Sequence, residues 1–237
     1  MCSPPEACIF GNYLGCLKKG LAYQEKGHDV TFLIANYHSL TTSGEQAITE
    51  QELIRLGAKK IIRQTPEYTE LFFKMACKIS LGPLLRMPQY KDKKDTVEYD
   101  LGLLLYPVLM CADIVINDPD VIIIGRDQIP HIELCNSIAK RVGVKKEFRY
   151  ELGDVDKVMS LQAPTQKMSK SLGEKHILYL FDEDYNTKLR KANSVEEGIQ
   201  NLKNIARGLK IKGEFTSNLE LKESIALKMQ EMFSGTK

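Results

Sequence analysis

The five residues Lys167-Met168-Ser169-Lys170-Ser171 follow Pro164-Thr165 and precede Leu172-Gly173. Two lysines, two small hydroxyl residues and a flanking glycine form a cationic loop. Such a loop can fold over a polyphosphate and neutralise charge that builds on a leaving pyrophosphate. Composition alone would equally suit an exposed turn; the literal order of the five residues is the more specific feature. Gly11-Asn12 opens a helical pattern, where exposed backbone N–H groups and the helix dipole favour an anion, although a Gly-Asn pair is also a common helix cap. Asp113 lies in an apolar helical stretch between Ala112 and Ile114. A carboxylate buried there needs a donor, from an internal partner or from a ligand. Met110, three residues earlier, shares its helical face and offers a soft, polarizable wall, and Tyr106 lies one turn before that.

These residues need a scaffold, and the pattern supplies one by alternating helices and strands. Asn12–Lys26 has helical apolar spacing and is stopped by Gly27. Asp29–Ala35 is a β-rich apolar run, and Glu45–Leu56 a second amphipathic helix closed by Gly57. Lys60–Arg63 predicts a short strand, Glu67–Ile79 a helix, and Leu101–Ile114 a long apolar helix containing Pro107. Val121–Ile124 predicts a buried strand, followed by a helix from about Ile129 to Val142. The alternation implies parallel strands with right-handed crossovers, an α/β doubly wound sheet. Such sheets bind ligands beyond the carboxyl ends of their strands, which draws attention to His38 after the first strand and to Gly125, Asp127 and Gln128 after another. A lone histidine is otherwise more often a structural hydrogen bonder. Helical spacing over 183–193, 195–209 and 218–233 predicts a small C-terminal helical appendage. The expected division is 1–181 and 182–237.

Composition bounds the function class. The 237 residues are 43% hydrophobic and 27% charged, which suits a globular protein and excludes collagen-like, disordered and disulfide-dense classes. No stretch approaches the roughly 20 apolar residues of a membrane helix. The start Met1-Cys2-Ser3-Pro4-Pro5-Glu6 lacks the pattern of a signal peptide. Cysteines at 2, 8, 16, 77, 111 and 135 show no C-x-x-C pair, and His28, His38, His131 and His176 lack metal-ligand spacing. Free thiols, a cytoplasmic setting and no protein-bound metal are expected. Residues 1–139 carry 14 basic and 17 acidic side chains, and residues 140–237 carry 19 and 14, so a net charge of +5 lies in the C-terminal part. That excess is compatible with a polyanionic partner and equally with a solvated surface.

The loop string KMSKS resembles the second signature of class I aminoacyl-tRNA synthetases. Gly11-Asn12-Tyr13-Leu14-Gly15 is similar to the second half of their first signature, in the form found in tryptophanyl enzymes. Leu105-Tyr106-Pro107-Val108-Leu109-Met110-Cys111-Ala112-Asp113-Ile114 resembles the helix at the tryptophanyl pocket. Gly125-Arg126-Asp127-Gln128-Ile129-Pro130-His131-Ile132-Glu133-Leu134 resembles the family's Gly-Glu-Asp-Gln-x-x-His-x-Glu-Leu segment, and Val158-Met159-Ser160-Leu161 also fits. Order and approximate spacing agree over nearly the whole chain, so the sequence resembles bacterial-type tryptophanyl-tRNA synthetases. The resemblance implies a Rossmann-like domain and activation of tryptophan by Mg2+·ATP, with transfer to tRNA(Trp). It implies Lys167, Ser169 and Lys170 as catalytic residues, and Gly11, Asn12, Gly125, Asp127, Met168 and Ser171 as the ATP site. Asp113, Met110, Tyr106, His38 and Gln128 would hold the amino acid, with Asp113 accepting the indole N–H. The implied assembly is a homodimer. Its expected interface is the apolar stretch 68–85, including Phe72, Phe73, Met75 and Ile79, together with Leu101–Tyr106.

The departures from the family pattern are specific. Glu6 and Ile9 replace family residues before the first signature, and a full first strand does not fit before Pro4. Cys8-Ile9-Phe10 is therefore either a shortened strand or no strand. Arg126 reverses the charge of the family's glutamate, and Ala76 stands where the family usually has glutamine. The segment between His38 and Lys60 is compressed, and the helical tail to Lys237 is short. They keep open an alternative, a trimmed paralogue that adenylates tryptophan or a related amino acid for a non-tRNA acceptor.

Overall fold

The computed structural model describes residues 8–40, 48–93, 101–155, 157–182 and 184–233. The chain forms α1 (Phe10–Asn12), a π-helical stretch (Tyr13–Leu17), α2 (Lys18–Glu25), β1 (Phe32–Ile34), α3 (Asn36–Ser39), α4 (Glu50–Arg55) and β2 (Ile61–Arg63). There follow α5 (Pro66–Ala76), α6 (Leu81–Leu85), α7 (Pro88–Lys93), α8 (Leu101–Asn117), β3 (Val121–Ile124), α9 (Ile129–Arg141) and β4 (Arg149–Leu152). The C-terminal helices are α10 (Tyr185–Arg190), α11 (Glu196–Gly208) and α12 (Asn218–Phe233). The described strands are parallel and pair β1 with β2 and β3 with β4, each pair separated in sequence by helix. This is the α/β pattern expected from the sequence.

Local chemistry explains the boundaries. Thr49 and Glu52 form a reciprocal capping box that starts α4, and Pro66 occupies the first turn of α5, where its missing N–H costs nothing. Gly27 (φ +90°) and Gly57 (φ +84°) terminate α2 and α4. Four elements lie outside the sequence expectations: α3, α6, α7 and β4. The expected N-terminal strand reduces to one antiparallel bridge between Ile9 and Tyr179, flanked by Phe10 N–H donating to the Leu178 carbonyl (2.8 Å) and Leu180 N–H donating to the Cys8 carbonyl (2.8 Å). Helix begins at once at Phe10, so among the described residues the extended part is limited to the bridge at Ile9. Residues 1–7, with Glu6 and Pro4-Pro5, lie outside the described residues, as does the 45–47 start of the predicted second helix.

Two compact units arise, each assembled from separated stretches. The first comprises residues 1–32, 47–60 and 152–237. Its core joins Phe10 and Leu14 from the N-terminal helix to Ile177, Leu178 and Leu180, and to Leu189, Leu202, Ile205, Ile225 and Met229 from α10, α11 and α12. Gly153 meets the N-terminal helix so closely that a Cβ there would lie 1.8 Å from the Gly15 carbonyl oxygen, so only glycine fits. Lys222 is buried, and its ammonium donates to the carbonyls of Arg190 (3.1 Å) and Ala192 (2.7 Å) and to Ser194 Oγ (2.9 Å), closing the C-terminal end of α10. The second unit comprises residues 33–46 and 61–151. Here α8 packs against both α5 and α9, burying Val108, Leu109, Cys111, Ala112 and Ile114. Pro107 lies within α8 and is buried. Asn136 fixes the approach to β4 by pairing its amide with both the N–H (2.8 Å) and the carbonyl (3.1 Å) of Phe148.

Candidate active site

In the second unit, α3 and the residue that follows β2 bring polar side chains to Asp113 on α8. The carboxylate is 6% exposed, in the middle of apolar α8. Gln64 Nε2 donates to its Oδ1 (2.6 Å), and His38 Nε2 lies 3.0 Å from its Oδ2. Gln64 is itself buried and locked: its Oε1 accepts the Tyr37 N–H (2.6 Å), and its own N–H donates to Asn36 Oδ1 (3.0 Å). The backbone turn of α3 after β1 and the residue immediately after β2 are thus tied to each other and to α8. A buried carboxylate with a donor on each oxygen meets its desolvation cost. Each oxygen retains lone-pair capacity for one further donor.

Tyr106, Met110 and Asp113 follow one another along one face of α8. The Tyr106 hydroxyl lies 2.7 Å from Nε2 of His131 on α9, and its ring stands edge-on to His38, with centroids 6.0 Å apart. Burial, with the Asp127 carboxylate adding to it, raises the Tyr106 hydroxyl well above the ordinary tyrosine range. Burial lowers His131 to about 4, so it is neutral at pH 7. Asp127 opposes that shift and His38 reinforces it, so His38, Tyr106, Asp127 and His131 share one electrostatic neighbourhood. Asp127 Oδ2 accepts from Gln128 Nε2 (3.2 Å), and a Cβ on residue 125 would lie 2.7 Å from Asp127 Oδ1. Glycine at 125 therefore lets the Asp127 carboxylate fold back over its own loop.

In the first unit, the lysine loop is one arm of a small hairpin. Met159 and Lys167 form an antiparallel bridge, Met168 N–H donates to the Val158 carbonyl (3.1 Å), and Ser160 N–H donates to the Gln166 carbonyl (2.9 Å). Lys167 is exposed, Ser169 is extended, and Lys170 begins a 3-10 turn that includes the Ser171 backbone. Met168 is 5% exposed and anchors the loop in the core, its sulfur accepting the Leu178 N–H at 3.5 Å. A Cβ on Gly11 would touch Val158 at 3.5 Å, so the first-signature glycine packs on this same hairpin. The exposed Asn12 donates its N–H to the Ile9 carbonyl (2.9 Å).

The predicted residues thus form two clusters. His38, Tyr106, Asp113, Asp127 and Gln128, with half-buried Met110 and Gly125, belong to the second unit; Gly11, Asn12 and the lysine loop belong to the first. Sequence reasoning overlooked Gln64 and gave no role to Asn36, beside His38 after the first strand, or to His131 in the 125–134 segment. Gln64 carried a usable signal: it directly follows β2, at the strand end where α/β proteins place ligand-binding groups. Met75, counted as an interface residue from sequence, is fully buried within its own unit, whereas Phe73 on the same helix is 67% exposed. Ala76 ends α5 and is half-buried.

A family model described as tRNA synthetases class I (W and Y) matches residues 59–234. A tryptophan–tRNA ligase of Mycoplasma genitalium is 31% identical, over 90% of this chain and 72% of its own length. One from Listeria monocytogenes is 32% identical over 76% of this chain, which spans 60% of that protein. In fold, the chain is similar to tryptophanyl-tRNA synthetase of Mycoplasma pneumoniae (TM-score 0.79, 24% identity, 98% of this chain and 86% of that one). It is also similar to the Campylobacter jejuni enzyme complexed with ADP and tryptophan (TM-score 0.64, 23% identity, 96% and 82%). These folds are the Rossmann-like fold of class I synthetases. None of these names points to an acceptor other than tRNA, so the paralogue reading gains no support. The chain belongs to the class I aminoacyl-tRNA synthetases, in the family of tryptophanyl and tyrosyl enzymes.

Proposed function

We propose that this chain activates tryptophan with ATP and transfers it to tRNA(Trp). The observation that carries the choice of amino acid is Asp113, a buried carboxylate on the same face as Met110 and Tyr106. It has spare acceptor capacity for an indole N–H, and an apolar helix around it rejects charged competitors. His38 and Gln64 are positioning residues that hold the carboxylate in place. Tyr106 and Gln128 serve the amino and carboxylate end of the substrate. The names of the relatives and the ligands of the Campylobacter enzyme support the same reading.

In the reaction, a carboxylate oxygen of tryptophan attacks the α-phosphorus of ATP. The new P–O bond forms as the bond to the bridging oxygen breaks, and pyrophosphate leaves with the electron pair. Mg2+ arrives on the nucleotide as part of the substrate. Gly11, Asn12, Met168 and Ser171, with Gly125 and Asp127, are assigned to ATP. Lys167, Ser169 and Lys170 stabilise the charge that develops on the leaving group, so their contribution grows as the bond breaks. The adenylate then passes to the tRNA 3′ end, with the helical segment 182–237 as a reduced anticodon-side region.

The working form is a homodimer in the cytoplasm. Phe73 (67% exposed), Leu81 (56%), Leu85 (38%) and Leu101 (67%) support an interface on α5, α6 and α8, since apolar side chains exposed together commonly mark one. Five described cysteines are free thiols, in keeping with a reducing compartment. Among the described residues no helix is long and apolar enough to cross a membrane. The test is charging of tRNA(Trp) with labelled tryptophan. Acid-precipitable product with tryptophan, and none with tyrosine, supports the proposal; tyrosine as the better substrate refutes it.

A further inference from the structure

Asn201 is almost fully buried on α11, at 3% exposure, and both ends of its amide engage one backbone residue. Its Oδ1 accepts the Met159 N–H (2.9 Å) and its Nδ2 donates to the Met159 carbonyl (2.8 Å). Met159 is the residue that bridges to Lys167. The arm carrying Met159 is held on the same side by two further residues from the α10–α11 connection. Asn193 donates its N–H to the Leu161 carbonyl (2.7 Å) and its Nδ2 to the Gln162 carbonyl (3.2 Å), and Gln162 Nε2 donates to the Lys191 carbonyl (2.7 Å). Ser160 Oγ, fully buried, accepts the N–H groups of Gln162 (3.2 Å) and Ala163 (3.0 Å), which rigidifies the turn. The hairpin therefore has a fixed inner arm and an outer arm that bears the lysine.

We propose that Asn201 is a positioning residue for the lysine loop: by clamping Met159 in both hydrogen-bonding senses, α11 fixes where Lys167 stands when pyrophosphate departs. A primary amide carries its acceptor and its donor on separate atoms, so Asn201 can accept the N–H and donate to the carbonyl of the same residue. The inference rests on the activation reaction proposed above, in which Lys167 acts in the transition state. Loss of the clamp should then lower the rate of activation while leaving ground-state ATP binding nearly unchanged.

The experiment is a double-mutant cycle in tryptophan-dependent ATP–pyrophosphate exchange. Asn201→Ala should lower kcat about 10- to 100-fold, the loss expected when a catalytic group is misplaced by about 1 Å, with the KM for ATP changed less than threefold. In a Lys167→Ala background the same substitution should cost less than threefold, because the group it positions is gone. Asn201→Asp retains size and the acceptor but loses the donor, and it serves the same cycle if the alanine variant does not fold. Hydrogen exchange should quicken at the Met159 amide in the alanine variant, which lacks its acceptor, and at the Met168 amide in either variant. Equal losses in both backgrounds, or a loss expressed in KM alone, would overturn the proposal. An inactive wild-type protein would instead count against the activation reaction itself, and the exchange of the two amides would still decide whether Asn201 holds the hairpin.

Discussion

Replacing Asp113 by asparagine keeps the side chain's size and changes its hydrogen-bonding character. The carboxylate now receives Gln64 Nε2 on Oδ1 at 2.6 Å and faces His38 Nε2 across 3.0 Å at Oδ2. An amide offers one oxygen and one NH2, so it can face only one of these partners as an acceptor. A hydrogen bond to a charged group is worth roughly 1.5–3 kcal/mol, and each 1.36 kcal/mol is a factor of ten. With one charged acceptor lost, tryptophan activation should weaken about 10- to 150-fold in kcat/KM. Phenylalanine, which has no indole N–H to misplace, should lose little, so discrimination between the two should shrink by about the same factor. Pyrophosphate exchange with tryptophan, phenylalanine and tyrosine reads this directly, with thermal unfolding as the control for folding. Unchanged discrimination in a folded Asp113→Asn protein would refute the assignment of Asp113 to the indole.

Lys167→Ala and Lys170→Ala should each slow adenylate formation by about tens- to a thousandfold in single-turnover measurements, with ATP binding changed far less. His131 should make stability depend on pH. Its folded value of about 4 lies below the usual 6.5, so the unfolded chain binds more protons between these values and stability falls as pH drops from 6.5 to 4. The loss should reach about 3 kcal/mol in denaturant titrations, and His131→Gln should flatten that slope relative to wild type. For assembly, light scattering should give twice the chain mass of 26.9 kDa at micromolar concentration, and Phe73→Lys should return the single-chain mass.

Legibility from sequence followed the range of the interactions. The last helix was predicted over 218–233 and occupies those residues, because its apolar spacing is local information. Gly27 and Gly57 were likewise readable as helix ends. β4 escaped notice because Arg149-Tyr150-Glu151-Leu152 has only four residues, too short a run for its alternation to stand out, and its first two are exposed. α6 contains Gly82 and Pro83, residues that ordinarily argue against helix. Asp113 was recognisable as a carboxylate in need of a donor, but its donors, Gln64 and His38, lie 49 and 75 residues away in the chain. Pairings over such distances come from the packing of β1, β2 and α8, which no local pattern encodes. The literal lysine loop was legible as a motif; that its methionine is a core anchor and its inner arm is clamped by Asn201 became visible only with the fold.

The central claim is activation of tryptophan, and amino-acid-dependent ATP–pyrophosphate exchange tests it most directly. With purified protein, Mg2+·ATP, labelled pyrophosphate and each of the twenty amino acids in turn, the account predicts label in ATP with tryptophan and at least a hundredfold less with tyrosine or phenylalanine, in line with sites built around a polar partner. Exchange that is absent with tryptophan, or faster with another amino acid, would contradict it.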